Sequence, residues 1–558
     1  MSRLRNGLRW GGRCTVVACA WMSACAREEP ADLVLVGGRV ITSTTGPFAQ
    51  ALAIRGGRVV AVGSDEEIGR WVGAATREVP LAGATVLPGL ADNHLHSIGG
   101  GPGVDLSRAR SLREIYDALA ARAAATPSGE LIVTNSDWHE GQLEEQRLPL
   151  RDELDRAVRD HPVVVVRGGH EYILNSAALK RFGIGEQDRD PPGGRIGRYA
   201  DGRLNGELVD RAKEPVRLPA EESVDPVAAW KTALVELNRL GLVAIRVPGG
   251  SRAEYDAFAA LRDRGELTAR VEYLFRWPRN AGVQDVDAVL AEWPTPDQGD
   301  EWLQVGGVKL GVDGGFEGGW MRDPYEEPWG EDGTYFGLQT MERDAFTEVV
   351  RALNARGWRV ATHAVGDAAI DLVLDAYEAA NADASIVGKR WVIEHGFIPR
   401  PEHFERMRAL GLHVTAQDHL YLAAPSLVSY WGRERAEWTT PLKAYLDAGI
   451  PVSTGTDSPV VPYPPFWTLY HFVTRGTISG GVMGADQRVP VAEVWRAATE
   501  GYAALTFSES QRGTLQPGRW ADLIVLDEDP FAVEPERLED LQPRMTVVGG
   551  RVVWPPSS

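Results

Sequence analysis

The stretch VLPGLADNHLH, from Val86 to His96, opens as a short apolar run and closes in two histidines one residue apart. In an extended strand, side chains two positions apart point to the same side. His94 and His96 therefore project together from the end of a strand, with Leu95 turned away. Two imidazoles on one side of a strand end can share a metal ion. Asp92 falls on the same side, placed either to orient a ligand or to approach the ion. A His-x-His pair alone is a weak signal, so its reading depends on what the rest of the chain supplies.

Downstream, apolar strand-like runs alternate with amphipathic segments. The runs are Leu131-Ile-Val-Thr, Val163-Val-Val-Val, Val243-Ala-Ile, Val271-Glu-Tyr-Leu-Phe, Val308-Lys-Leu, Val360-Ala-Thr-His, Trp391-Val-Ile-Glu-His, His413-Val-Thr-Ala-Gln and Val452-Ser-Thr-Gly-Thr-Asp. The helical segments between them include Arg343 to Arg356, Ala368 to Asn381 and Arg400 to Leu410. This alternation predicts an α/β fold with a parallel sheet and outer helices, a TIM (β/α)8 barrel over 86–505. A doubly wound open sheet is the alternative. No glycine-rich phosphate loop opens a helix after the first strand, which disfavours it. Residues 136–235 break the repeat, with Pro191-Pro192-Gly193-Gly194 and Gly202 marking loops. This insertion is expected to form part of a substrate lid.

Both chain ends have another texture. Residues 32–85 read as short strands with glycine turns at Gly37-Gly38 and Gly56-Gly57. Residues 511–556 repeat the pattern in Ala521-Asp-Leu-Ile-Val-Leu, Met545-Thr-Val-Val and Arg551-Val-Val-Trp. The economical reading is one small β-sandwich domain built from both ends.

The chain has 558 residues, 44% hydrophobic and 25% charged, an ordinary globular composition with material for a large core. Its net charge of -19 repels phosphate backbones, so no nucleic acid is expected as a partner. Cys14, Cys19 and Cys25 all lie in the first 25 residues, which removes disulfides, thiolate ligands and cysteine nucleophiles from the folded body. Residues 1–25 resemble a leader, with Arg3, Arg5, Arg9 and Arg13 ahead of an apolar stretch too short to span a bilayer comfortably. Met22-Ser23-Ala24-Cys25 resembles a lipobox, although Met22 stands where leucine is commoner. The expectation is an exported protein, periplasmic or lipid-anchored at Cys25; a spurious leader would leave it cytoplasmic.

Several of the strand candidates end in a chemically useful residue: His94 and His96, then Lys309, His363, His395 and Asp457. Strand C-termini of a barrel converge on one mouth, so these side chains can meet across hundreds of residues. Four neutral imidazoles with a carboxylate suit Zn²⁺ or another divalent ion, one or two in number. Lys309 is the odd member, because an ammonium cannot ligate a cation. A buried lysine loses its proton more readily, and its neutral amine can add CO₂ to give a carbamate that bridges two metals. Each residue also has a plainer reading: His363 as a core histidine, His395 paired with Glu394, Asp457 capping a turn, Lys309 solvated at a strand end. Together those readings require five coincidences in order at strand ends.

The order His94-x-His96, Lys309, His363, His395, Asp457 resembles the metal-dependent amidohydrolase superfamily. The lead-in Val86-Leu-Pro-Gly-Leu, the run into Asp313-Gly314, the block Thr362-His363-Ala364-Val365-Gly366-Asp367 and the closing Gly513-Thr-Leu-Gln-Pro-Gly-Arg-Trp-Ala-Asp522 resemble its family 3 branch, which includes N-substituted formamide deformylase-like enzymes. The resemblance covers about residues 32 to 555. It implies a distorted barrel, one or two divalent metals and hydrolysis of amide-type C–N bonds. By position it assigns His94 and His96 to a first metal, Lys309 to a carboxylated bridge, His363 and His395 to a second metal, and Asp457 to ligand and proton shuttle. One departure is Gln417-Asp418-His419, where the branch tends to carry proline in place of Asp418.

The expected reaction is attack of metal-bound hydroxide on a carbonyl of a small-molecule substrate, with Asp457 passing the proton to the leaving nitrogen. His170, in Arg167-Gly-Gly-His170, is a candidate hydrogen-bond partner for the oxyanion, or else a structural histidine. Trp138, Trp320, Trp467, Tyr463 and Phe466 fall near loops at the expected mouth, as a substrate wall or as simple packing. Two alternatives stand beside the amide hydrolase: hydrolysis of an ester, lactone or cyclic amidine at the same site, and a non-catalytic binding lipoprotein on this scaffold. A homodimer is the default oligomer.

Overall fold

The computed structural model describes residues 29–556, apart from 45, 102, 219–224, 297 and 462. The leader and Cys25 lie outside the described residues. No helix among the described residues is long and apolar enough to cross a membrane.

Eight parallel strands form one sheet in simple order: β1 (Leu90–Asp92), β2 (Leu242–Gly250), β3 (Arg270–Arg276), β4 (Leu303–Gly311), β5 (Val360–Ala364), β6 (Val392–His395), β7 (His413–Gln417) and β8 (Val452–Gly455). β8 returns to β1. The Asn93 N–H donates to the Thr454 carbonyl at 3.2 Å, and Leu95 bridges Ser458 in parallel. Asp92 clamps this seam, accepting from the Thr456 hydroxyl at 2.7 Å and from the His94 N–H at 2.9 Å. It therefore holds backbone rather than facing an ion. The result is a nearly closed (β/α)8 barrel.

The helices lie where the periodicity placed them. Arg343–Ala355 buries Phe346, Val349, Val350 and Leu353, an i, i+3, i+4, i+7 stripe against the barrel. Pro401–Leu410 starts with Pro401, whose missing N–H costs nothing there, and ends at Gly411 with φ 63°. Asp367–Asp383 covers the adjoining face of the barrel.

The opening stretch splits in two. Thr85–Pro88 leaves the barrel and joins a six-stranded sheet with Arg39–Ile41 and Phe48–Ala49 from the N-terminal side and Leu523–Leu526, Pro543–Val548 and Arg551–Trp554 from the C-terminal side. Gly89 is the junction. A Cβ there would lie 2.3 Å from Val243 Cγ1, so a side chain would push β2 away. A four-stranded sheet of Leu33–Val36, Ala51–Arg55, Arg58–Gly63 and Arg77–Pro80 faces the six-stranded one. Leu35, Leu52, Ile54, Val86, Leu523, Val525 and Val547 fill the space between them.

The excursion between β1 and β2 carries a five-stranded sheet of its own: Ile132–Val133, Val163–Arg167, Glu171–Leu174, Gly194–Arg198 and Leu204–Asp210. Two of the runs that resembled barrel strands, at 131 and 163, belong to this sheet. Apolar β-branched runs fit any buried strand, and nothing local says which sheet they join.

Candidate metal centre

The C-terminal ends of the barrel strands converge as expected for this topology. His94 and His96 follow β1, Lys309 lies near the end of β4, His363 is in β5, His395 ends β6 and Asp457 follows β8. The carboxylate of Asp457 is central. Oδ1 lies 3.2 Å from His96 Nε2 and 3.4 Å from His94 Nε2, and Oδ2 lies 3.9 Å from His395 Nδ1. Lys309 Nζ lies 3.3 Å from His94 Nε2. The ring of His395 stands 4.6 Å from those of both His94 and His363. Two residues of this rim, His395 at φ 71° and Asp457 at φ 63°, adopt left-handed backbone conformations. Such conformations cost about 1–3 kcal/mol each and persist where the surrounding structure holds them.

Hydrogen bonds fix which ring nitrogens are free. His94 Nδ1 donates to Glu394 Oε2 at 2.8 Å, leaving Nε2 as the lone-pair nitrogen toward Asp457 and Lys309. His395 Nδ1 donates to Gln417 Oε1 at 2.8 Å. His363 Nε2 donates to the Gly314 carbonyl at 3.0 Å, leaving Nδ1 free. This is the usual way of presenting an imidazole to a metal.

Electrostatics act in the same direction. Burial, helped by the Lys309 charge, pulls His94 down to about 3, and burial pulls His363 and His395 well below the ordinary imidazole value. All three are neutral at pH 7. Burial pushes Asp457 up, but its imidazole neighbours, His94 first, hold its carboxyl well below the usual range. Burial pulls Lys309 down to about 8, within reach of the neutral amine that carbamate formation needs. Burial opposes ionisation of Glu394, yet Arg246 at 2.7 Å and Lys309 keep it well below the carboxylate norm.

Two groups can hold an ion: His94, His96 and Asp457, and His395, His419 and Asp457, with ligand atoms within 4.8 Å of one another in each. Imidazoles around a shared carboxylate fit a divalent cation. His419 was not among the expected ligands. Its Nε2 lies 3.0 Å from Asp457 Oδ2, and its buried Nδ1 has no partner among the described residues. The sequence contained a cue, a third histidine just past the end of a barrel strand. His363 belongs to neither group, although its ring abuts His395. Asp418 is fully buried beside His419, and burial pushes it up to about 8, so it is a neutral acid at pH 7.

His170 comes from the inserted sheet, at the turn before Glu171–Leu174. Its ring stacks on His363 at 5.4 Å, and its Nδ1 lies 2.7 Å from Asp210 Oδ1. Gly315 makes room, since a Cβ there would lie 2.9 Å from the His170 ring. Of the five aromatic wall candidates, Trp138 lines the pocket beside the centre, together with Phe316 and Phe397. Phe466 instead packs on Trp495 and Trp467 on Tyr421.

A parallel barrel whose C-terminal rim gathers imidazoles around a buried carboxylate has the build of a metal-dependent hydrolase. Residues 77–554 match the model of the amidohydrolase family Amidohydro_3, and the chain belongs to that family. It is 28% identical to YtcJ of Bacillus subtilis (strain 168) over 539 residues, 93% of this chain and 98% of the relative. It is also 28% identical to the N-substituted formamide deformylase of Arthrobacter pascens, over 93% of this chain and 97% of that enzyme. An uncharacterized metal-dependent hydrolase from Pyrococcus horikoshii OT3 superposes with a TM-score of 0.67 at 25% identity, covering 90% of this chain and 99% of the other. The protein is a hydrolase of the metal-dependent amidohydrolase type.

Proposed function

We propose that this hydrolase cleaves the C–N bond of an amide-type substrate, N-acyl or N-formyl, at a zinc site formed by His94, His96, Lys309, His363, His395 and Asp457. The observation that carries this reading is the placement of the Asp457 carboxylate beside the imidazoles of His94, His96 and His395 at one barrel rim. A divalent ion bound there would lower the pKa of a water to about 7 and polarise a carbonyl oxygen. The chain's own groups do the rest. Asp457 accepts a proton from the attacking water and delivers it to the leaving nitrogen. His419 holds that carboxylate in place, its Nε2 3.0 Å from Asp457 Oδ2. His170, held in place by Asp210 at 2.7 Å, supplies a hydrogen bond to the substrate oxygen as negative charge develops there. Trp138, Phe316 and Phe397 exclude water from the inner side of the pocket. A carboxylated Lys309 would add the anionic bridge that a second ion needs.

The test is to strip the full chain with chelator, reload it with Zn²⁺ in bicarbonate, and assay amides, N-formyl amines and N-acyl amino acids beside esters and lactones. The expected outcome is amide cleavage that disappears on stripping and returns with zinc, at one or two ions per chain. Cleavage of esters or lactones alone would overturn the amide assignment.

A further inference from the structure

Arg276 and Arg279 stand at the mouth of the cavity that leads to the metal centre, a space of about 460 Å³. The proposed reaction uses neither. The chain carries a net charge of -19, and several arginines inside the barrel lie against carboxylates. Arg246 pairs with Glu394 at 2.7 Å, Arg359 with Glu272 at 2.7 Å and Arg270 with Asp522 at 2.7 Å. Among the described residues, Arg276 and Arg279 pair with no acid. Among the described residues, the one hydrogen bond of Arg276 runs from Nε to the Gly249 carbonyl at 2.9 Å, and no described residue claims its Nη groups.

The acids in the cavity lining are already engaged. Asp210 holds His170 at 2.7 Å. Asp313 accepts from the backbone N–H groups of Trp320, Val365 and Gly366. Asp457 belongs to the metal centre. The remaining lining charges, Arg211 among them, are positive, and Arg211 is paired with Glu214 at 3.0 Å. Leu310, Met341 and Trp277 add apolar wall alongside.

Arg276 is also held close to the chemistry. A Cβ on Gly249, which sits at φ 95°, would lie 3.1 Å from Arg276 Nη2 and 3.1 Å from Lys309 Cγ. The guanidinium and the Lys309 stem therefore flank a single gap that only glycine leaves open.

We infer that Arg276 and Arg279 form an anion subsite at the mouth, and that the natural substrate is an amide carrying a carboxylate. This rests on the amide-hydrolase reading above. A guanidinium fork receives a carboxylate through two parallel hydrogen bonds, so the subsite orients the substrate as well as attracting it. A basic mouth on an acidic protein also concentrates anions against the field of the remaining surface.

The experiment measures binding without turnover. An N-methanesulfonyl amino acid, whose sulfonamide resists hydrolysis, is titrated calorimetrically into the zinc-loaded full chain. Two analogues are titrated beside it, one with CH₂OH and one with a phosphonate in place of the carboxylate. The carboxylate is expected to bind at least fivefold more tightly than the alcohol. That advantage is expected to fall at least fivefold in the Arg276→Gln/Arg279→Gln double variant. A smaller advantage in wild type, or one that survives in the double variant, overturns the subsite. Tighter binding of the phosphonate than of the carboxylate overturns the carboxylate assignment. If the double variant unfolds earlier or loses zinc, Arg279→Gln alone on the exposed rim gives the same ratio under the same thresholds. Because no bond is cleaved, a failed amide assay and a failed anion subsite remain separate results.

Discussion

The barrel rim and the inserted sheet both bury charge, and they handle it in opposite ways. At the rim, the neighbours of Asp457 are imidazoles, and burial holds two of them, His94 and His395, neutral. In the insertion, Arg167 is the neighbour of Glu140 at 2.8 Å and of Glu317 at 2.9 Å, with Tyr430 closing the group. A carboxylate among imidazoles has no lysine or arginine paired with it among the described residues and so fits an incoming cation. A carboxylate on a guanidinium already has one. The first arrangement suits chemistry and the second holds a sheet in place, although Gly168 and His170 link the two within four residues of Arg167.

The widest separation between the regions should come from Asp457→Asn. Turnover by the zinc-loaded protein is expected to fall about 10³-fold or more, with the unfolding temperature little changed. A comparable loss of stability would mean that the rim carboxylate is structural after all. Arg167→Met should do the reverse. It leaves Glu140 and Glu317 buried without their cation, at about 3–5 kcal/mol of stability in denaturant unfolding.

The same variant should change the acid limb of the stability curve. Burial pushes Glu140 up, but the Arg167 charge overcomes it and holds Glu140 at about 2, below its unfolded value of 4.5. The pair therefore stabilises the fold above pH 4.5, and that contribution fades as pH falls toward 2. In Arg167→Met the fade is expected to shift to higher pH; an unchanged acid transition would remove Arg167 from the account. Glu394→Gln should have the smallest effect and blur the comparison. Glu394 holds His94 at the rim yet is itself paired with Arg246, so zinc affinity should drop about 10–100-fold in a chelator competition, with modest loss of stability.

Much of the rim was legible in the sequence because a barrel turns sequence order into spatial convergence. His94, His96, Lys309, His363, His395 and Asp457 each stood at the end of an apolar run. His419 escaped because it follows β7 in the segment Gln417-Asp418-His419, where Asp418 departs from the proline that the resemblance led one to expect. Asp92 was misplaced by the alternation rule, since the strand ends at Asp92 and the chain bends before His94. The aromatic wall was legible only in Trp138. Phe316 and Phe397 reach the pocket from loops whose course no local pattern records.

The sequence by itself determined the periodicities, and through them the alternating strands and helices, the strand-rich ends and the residues able to bind a metal. Tertiary structure alone decided which sheet each apolar run joined, because backbone pairing reads neighbours in space and not side-chain identity. It also decided which ring nitrogens face Asp457, and which arginines are left without an acid at the cavity mouth. Those are properties of distance, and distance between far-apart residues exists only once the barrel has closed.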